Sequence, residues 1–258
     1  MAQGDWSLQA ILRSDWPRLL SQLPAIGSGL MMSGNGAVTL CSRQPYPLLH
    51  FAACGKSTGA DAEAGLWLDR RGLGAARAVH SRQRGANFFK IEFADTAGRI
   101  VHRFDPTPES NLDKFFAWLR LHQAFAAEPC PAECAENPVL DPGSQRGDTA
   151  LLVAVLKQCN QRAIALRATV SAGPVTQRAV FTPRSLQPVD DWWFVSNCTA
   201  GLHFLAPSIT QVRVSPPLGE KYFAAPALHA DSANGSLTLE MGNHAQAAEW
   251  NAIVHGLV

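Results

Sequence analysis

Apolar and polar residues alternate between positions 87 and 104 in a way that predicts two strands. In the segment 88–93 (FFKIEF) apolar residues fill the odd positions, which is the two-residue period of a strand. The segment Asp95-Thr-Ala-Gly98 has the composition of a tight turn. A second strand is expected from Arg99 to Phe104, so this part of the chain should form an antiparallel hairpin.

The residues after the predicted hairpin carry the signals of a helix start. Thr107 is expected as the N-cap and Pro108 as the first helical residue, where proline's missing N–H is tolerated. The apolar residues that follow recur at helical spacing, and the buried face is expected to consist of Leu112, Phe115, Phe116 and Leu119. The segment 87–121 is therefore predicted to be a hairpin covered by a helix.

The same pattern returns at the end of the chain, which indicates a tandem duplication. A second hairpin is expected around Asp231 to Gly235, followed by a helix. Asp231 lies 136 positions after Asp95, and the same offset aligns residues 64–68 (AGLWL) with residues 200–204 (AGLHF). Convergence on ordinary strand and turn patterns is the alternative explanation. We predict an α+β fold in which an antiparallel β-sheet with flanking helices occurs twice, as a pseudo-dimer.

The duplication suggests two domains joined by a linker. Residues 124–146 are rich in Pro, Glu, Cys and Gly and lack periodicity. We expect a first repeat at residues 1–125, a linker at 126–147 and a second repeat at 148–258. Because a duplicated chain already contains the two surfaces that single-repeat proteins join by dimerising, we expect a monomer.

Charge and hydropathy narrow the classes of partner. The chain has 22 Lys and Arg against 21 Asp and Glu, so no overall field attracts nucleic acid or an anionic membrane. Its apolar runs are too short to span a bilayer, and the N-terminal residues lack a basic region followed by an apolar region. We therefore expect a cytoplasmic protein with no nucleic-acid partner and no membrane insertion.

Two short motifs resemble known sites without completing them. Cys130 and Cys134 have a spacing that zinc tolerates, but no second pair of ligands follows, so inert linker thiols are the alternative to a metal or redox role. The segment Cys54-Gly-Lys-Ser-Thr58 resembles a phosphate-binding loop. His50 stands where that loop requires a glycine, and nucleotide binding is not predicted.

The densest group of cationic or ligating side chains is His80, Arg82 and Arg84. On one strand these residues would share a face. An imidazole beside two guanidinium groups could bind a metal and pair with carboxylates, because arginine offers a fixed fork of donors. A solvated strand face is the alternative interpretation.

Several segments together resemble the haem utilisation (hemin-degrading factor) proteins of Gram-negative bacteria. In the first half they are Trp16, Gly29-Leu-Met-Met, the run from Phe89 through Asp95 and Gly98 to His102, and Ser110 to Leu119. In the second half they are Gly173-Pro-Val, Trp192 to Val195, Leu202-His203-Phe-Leu and Asp231 to Gly235. The resemblance implies a pseudo-dimer of two α+β halves and a cytoplasmic protein that binds haem for haem-iron utilisation. It also implies a haem importer or a haem-accepting protein as partner.

The sequence departs from this family at the iron ligand. The family carries a histidine in a helix between the halves, whereas residues 129–146 contain none here. If haem is the cofactor, His80 is the expected metal ligand, with Arg82 and Arg84 as cofactor-binding residues. His102 is the second candidate, because it shares a strand face with Ile100 and Phe104.

Three functions are compatible with the sequence. The chain could carry haem, degrade it oxidatively, or be a divergent member that has lost haem ligation and acts as a small-ligand-binding or regulatory module. No catalytic residue is assigned, because no nucleophile stands at a recognisable spacing from a base.

Overall fold

Two antiparallel sheets and four helices make up the described part of the chain. The computed structural model describes residues 5–60, 64–124, 128–129, 149–216 and 225–257. One sheet has ten strands and the other eight, and they are called the first sheet and the second sheet below. No helix in these residues is long and apolar enough to cross a membrane.

The first half of the chain contributes ten strands and two helices to these residues. In chain order they are β1 (Trp6–Ile11), α1 (Trp16–Ser21), β2 (Ser28–Gly34), β3 (Val38–Pro45), β4 (His50–Phe51), β5 (Lys56–Ala60), β6 (Ala64–Asp69), β7 (Leu73–Gln83), β8 (Ala86–Asp95), β9 (Ile100–Pro106), α2 (Leu112–His122) and β10 (Glu128–Pro129).

The second half contributes eight strands and two helices. They are α3 (Ala150–Arg162), β11 (Leu166–Ala172), β12 (Val175–Phe181), β13 (Ser185–Val189), β14 (Trp192–Ser196), β15 (Ala200–Leu205), β16 (Ile209–Ser215), β17 (Ala227–Ser232), β18 (Gly235–Met241) and α4 (Ala247–Leu257).

The strand orders confirm the predicted tandem duplication. The first sheet runs β10-β1-β7-β8-β9-β2-β3-β15-β14-β13, and the second runs β16-β17-β18-β11-β12-β6-β5-β4. Apart from β10 and β1, the two orders are the same when each strand of one half is replaced by its counterpart in the other half. Each half also lends three consecutive strands to the other half's sheet. The predicted α+β pseudo-dimer is therefore correct, and its halves are interlocked.

Each sheet buries one face against helices and against the other sheet. One core cluster joins the inner side chains of β11, β12, β17 and β18 to α3, α4 and parts of β3, β14 and β15. The other joins β7, β8 and β9 to α1, α2 and parts of β6 and β12. The opposite face of each sheet, called its open face below, carries the alternate, more polar side chains.

The start of α2 differs from the prediction. Its N-cap is Asn111, whose side chain accepts from the Lys114 N–H at 2.9 Å. Thr107 instead forms a turn with Ser110, whose hydroxyl accepts from the Thr107 N–H at 2.7 Å. The helix therefore begins one turn later than expected, and its first residue, Leu112, is 38% exposed. Its buried residues are Phe115, Trp118 and His122.

Parts of the predicted linker lie outside the described residues. Glu128 and Pro129 pair with Gln9 and Leu8 of β1. Cys130 and Cys134 fall outside the described part of the chain, as does most of the expected linker at 126–147. The interpretations of these two cysteines and the domain boundaries remain predictions.

Candidate functional site

His80 lies on β7, close to the turn that joins β7 to β8. Its imidazole stacks on the Phe89 ring with centroids 4.3 Å apart and meets the Trp6 ring edge-on at 4.7 Å. The ring nitrogen Nε2 lies 3.3 Å from Asn87 Oδ1. The residue as a whole is partly buried. These contacts fix the orientation of the imidazole without enclosing it.

A small cavity beside His80 lies between the sheet and α2. Its volume is about 120 Å³, and its walls are mostly apolar. Besides His80 they include Leu8, Phe89, Phe115 and Phe116. A cavity of this size holds little more than a side chain.

A larger cavity of about 680 Å³ adjoins the small one at Phe89, which lines both. It opens where β8 and β9 diverge, since their pairing ends at Ile91 and Phe104. Its apolar lining includes Leu30, Phe88 and Leu112, and its polar lining includes Asn87, Lys90, Arg103 and Asp105. This volume lies within the range of small-molecule pockets. Asn87 connects the cavity to the imidazole of His80.

The two arginines near His80 differ in their placement. Arg82 follows His80 by two positions on β7, directly opposite Asn87, and is partly buried. Arg84 lies in the two-residue turn after β7, with φ of 50°, and its N–H donates to Asp5 Oδ1 at 2.9 Å. The expectation of a shared strand face does not extend to Arg84, because the left-handed turn takes it out of the alternation.

His102, the second candidate, lies inside the protein on β9. It is 1% exposed, and its Nδ1 lies 2.7 Å from the Ser33 hydroxyl. Burial lowers the pKa of His102 to about 3, so the imidazole is neutral. Its Nε2 and the Tyr46 hydroxyl are both buried without a hydrogen-bond partner among the described residues. His102 also lines a cavity of about 140 Å³ between β2, β3 and β9, but its side chain lies in the packed interior.

A row of charged side chains crosses the open face of the first sheet next to the larger cavity. Arg77, Glu92 and Arg103 lie directly opposite one another on β7, β8 and β9. Arg77 Nε is 2.5 Å from one Glu92 oxygen, and Lys90 Nζ is 3.1 Å from the other. Arg103 Nε lies 2.7 and 3.0 Å from the two oxygens of Asp105. Three cations thus surround two carboxylates.

Burial and ion pairing act in opposite directions on these carboxylates. The Glu92 side chain is 4% exposed. Burial raises the pKa of Glu92, but Lys90 and Arg77 outweigh it and hold that pKa below its ordinary value. Burial raises the pKa of Asp105, and Arg103 only partly offsets this. Glu92 is therefore a buried carboxylate that remains ionised because two cations flank it.

Nothing in the sequence alone pairs Arg77 or Arg103 with Glu92. The period-two pattern does place Lys90 and Glu92 on the side of their strand away from the core. Arg77 and Arg103 lie on two other strands, however, and come opposite Glu92 only through the register of the sheet. The charges at alternate positions of β8 were the only sequence signal that could have indicated the charged row.

No family model and no curated protein matches this sequence. Two solved structures match almost the whole chain. Holo-PhuS, a haem-binding protein from Pseudomonas aeruginosa, superposes with a TM-score of 0.77 at 15% identity, covering 96% of this chain and 86% of PhuS. ChuS, described as an E. coli haem oxygenase, gives a TM-score of 0.79 at 13% identity, covering 97% of this chain and 89% of ChuS.

This chain has the PhuS and ChuS fold. The fold that the family resemblance implied is thereby confirmed, including its extent over both halves of the chain. At 13–15% identity the superposition establishes the fold alone. The two proteins that share it are described as a haem-binding protein and a haem oxygenase.

Proposed function

We propose that this chain binds haem and that His80 is its iron ligand. The observation that carries the proposal is the match of 96–97% of the chain to PhuS and ChuS. The family resemblance in the sequence points to the same cofactor. As that resemblance implies, we assign the protein to the cytoplasm, where it exchanges haem with an importer or an acceptor protein. The tandem duplication leads us to propose a monomer.

The residues around His80 fit the needs of a haem. Iron requires a neutral imidazole whose other nitrogen is held by a second group, and Asn87 supplies such a group at 3.3 Å from Nε2. The small cavity at His80 is too small for a porphyrin, but the adjoining cavity of about 680 Å³ has apolar walls and the cations Lys90 and Arg103. Arg82 and Arg84 lie at the same end of the sheet, where they can meet the propionates.

His80 is preferred over His102 because of access. His102 is 1% exposed and packs against Phe93 and Tyr46, so iron could reach its Nε2 only if the core opened. His80 is partly buried and lies beside a cavity.

Hemin titration followed at the Soret band tests the proposal. Wild-type protein should shift the band at micromolar concentrations. The His80→Ala variant should weaken binding at least tenfold or change the spectrum, because the iron loses its ligand. His50→Ala is the matched control, since His50 is exposed on the second sheet and should leave the titration unchanged. Unchanged binding in His80→Ala would remove His80 as ligand.

A second function is favoured by one observation, the lack of any histidine at residues 129–146, where the family has its ligand. In that version the fold has lost haem and serves as a small-ligand-binding or regulatory module. A wild-type titration without any absorption change would support this version and contradict haem binding.

Carriage and degradation of haem differ in the fate of the porphyrin ring once it is bound. Bound and reduced haem itself supplies the oxygen activation that ring cleavage needs, while a protein orients the group. Incubating the hemin complex with ascorbate separates the two: a Soret band that bleaches indicates degradation, and a band that persists indicates a carrier.

A further inference from the structure

The open face of the second sheet presents two arginines and a threonine side by side. Arg167 and Thr169 lie on β11 and Arg178 on β12, at positions that alternate with buried residues on both strands. Thr169 is directly opposite Arg178, and Arg167 is opposite Val180, two residues from Arg178. Such diagonal neighbours lie roughly 7–8 Å apart at Cα, within reach of one another's long side chains.

Trp67 holds the guanidinium of Arg178 in place. The Arg178 guanidinium carbon lies 4.9 Å from the centre of the Trp67 ring. The ring itself covers Gly65, where an added Cβ would come within 2.3 Å of it, and Gly65 is directly opposite Arg178. A guanidinium stacked on an aromatic face keeps its edge N–H groups free to donate in a fixed direction. Arg178 is therefore preorganised for an acceptor.

These groups lack acceptors within the described part of the chain. The Nε atoms of Arg167 and Arg178 and the hydroxyl of Thr169 are buried without a hydrogen-bond partner. Glu240 is directly opposite Arg167, yet no ion pair joins the two in the described residues. Asp231, the other nearby carboxylate, pairs with Arg213. Two cations, of which Arg178 is held by Trp67, and a hydroxyl thus share a face on which neither nearby carboxylate neutralises them.

We infer that Arg167, Thr169 and Arg178 form a binding site for an oxyanion, either a phosphate or a carboxylate group of a small ligand. The planar fork of arginine donates two parallel hydrogen bonds to such groups, and a hydroxyl adds a third donor. The site lies on the second sheet and His80 lies on the first, so anion binding at this site does not require haem at His80.

Calorimetric titration with pyrophosphate, and separately with citrate, tests the site and distinguishes its two sources. Wild-type protein should bind at least one of them at millimolar concentration or below; binding of pyrophosphate alone assigns a phosphate, and binding of citrate alone assigns a carboxylate. The double variant Arg167→Gln/Arg178→Gln should bind at least tenfold more weakly. Arg184→Gln, an exposed arginine in the connection from β12 to β13, should bind like wild type.

Arg178→Lys keeps the charge but loses the fork and the stack on Trp67, so it should also bind more weakly than wild type. This variant keeps the test valid if the double variant does not fold. No heat with either anion, or equal affinity in wild type and Arg178→Lys, would overturn the site.

Discussion

The open faces of the two sheets carry equivalent rows of residues that neutralise charge differently. On the first sheet the row consists of Arg77, Glu92, Arg103, Met32, Cys41 and Gly201. On the second it consists of Arg213, His229, Thr238, Thr169, Arg178 and Gly65. The first row is ionic around Glu92. The second places a histidine at that position, and its two ring nitrogens each lie 3.0 Å from a hydroxyl, of Thr238 and Ser215.

The buried faces of the two sheets also differ in polarity, and again the first sheet is the more polar. His102 and Ser33 are directly opposite on β9 and β2, and the equivalent pair on β18 and β11 is Leu237 and Val170. One core thus contains a polar pair where the other is apolar. The two halves keep the same strand order despite both differences, because backbone hydrogen bonds between strands determine that order. Side chains of either half are free to take on separate roles.

The largest effect should come from removing the carboxylate of the first row. Glu92→Ala leaves Lys90 and Arg77 without their buried partner, so we expect a loss of about 3 kcal/mol in the free energy of unfolding. The equivalent change, His229→Ala, removes hydrogen bonds to two hydroxyls and should cost about 1 kcal/mol. Urea denaturation of both variants measures the difference. Equal losses would mean that the ionic row does not distinguish the halves.

The buried histidine should make stability depend on pH. The pKa of His102 is about 3 in the folded protein and 6.5 ordinarily, so the unfolded chain takes up a proton first as pH falls. The contribution of His102 to the free energy of unfolding is fully present above pH 6.5. Below that pH it should fall by about 1.4 kcal/mol per pH unit, down to about pH 3. Urea denaturation between pH 7 and 4.5 measures the slope, which should be smaller in His102→Leu. An equal slope in that variant would assign the effect to other groups.

The glycines that end the two rows should respond differently to a methyl group. Gly65→Ala places Cβ within 2.3 Å of the Trp67 ring, which must move, and should cost about 1–2 kcal/mol. The equivalent Gly201→Ala meets its nearest atom, Ser196 Cβ, at 3.3 Å and should cost less than about 1 kcal/mol. Thermal unfolding of both variants decides the point. A tolerated Gly65→Ala would show that Trp67 is not held against the strand.

Transplanting the apolar pair into the first core should have the smallest effect. The double variant Ser33→Val/His102→Leu copies Val170 and Leu237 and removes both partners of one hydrogen bond, which can be neutral or stabilising. We expect a change within about 1 kcal/mol. The single variant His102→Leu should be less stable than the double variant, because the Ser33 hydroxyl loses its partner. If the double variant were less stable than wild type by more than this amount, the polar pair would be a net source of stability.

Much of the framework was predictable because its signals are local. The turn at Asp95 to Gly98 and the 136-residue offset of Asp231 identified the hairpins and their duplication. The offset also aligned residues 64–68 with 200–204, which form the equivalent strands β6 and β15.

Features that depend on distant partners were not predictable. Period-two alternation does not reveal that β6 joins the other half's sheet through β12. At the candidate site, the sequence did bring His80 and Arg82 together. The stacking of His80 on Phe89 follows only from the packing of β1, β8 and α2. The burial of His102 follows from its contacts with Ser33, Tyr46 and Phe93.

The central claim, that haem binds at His80, is tested most directly by diffraction at the iron absorption edge from crystals of the protein grown with hemin. We predict one strong anomalous peak within coordination distance of a His80 ring nitrogen, with the porphyrin in the cavity lined by Phe88, Phe89 and Leu112. A peak beside another residue would contradict the claim. So would crystals that were grown with hemin but contain only protein and show no peak.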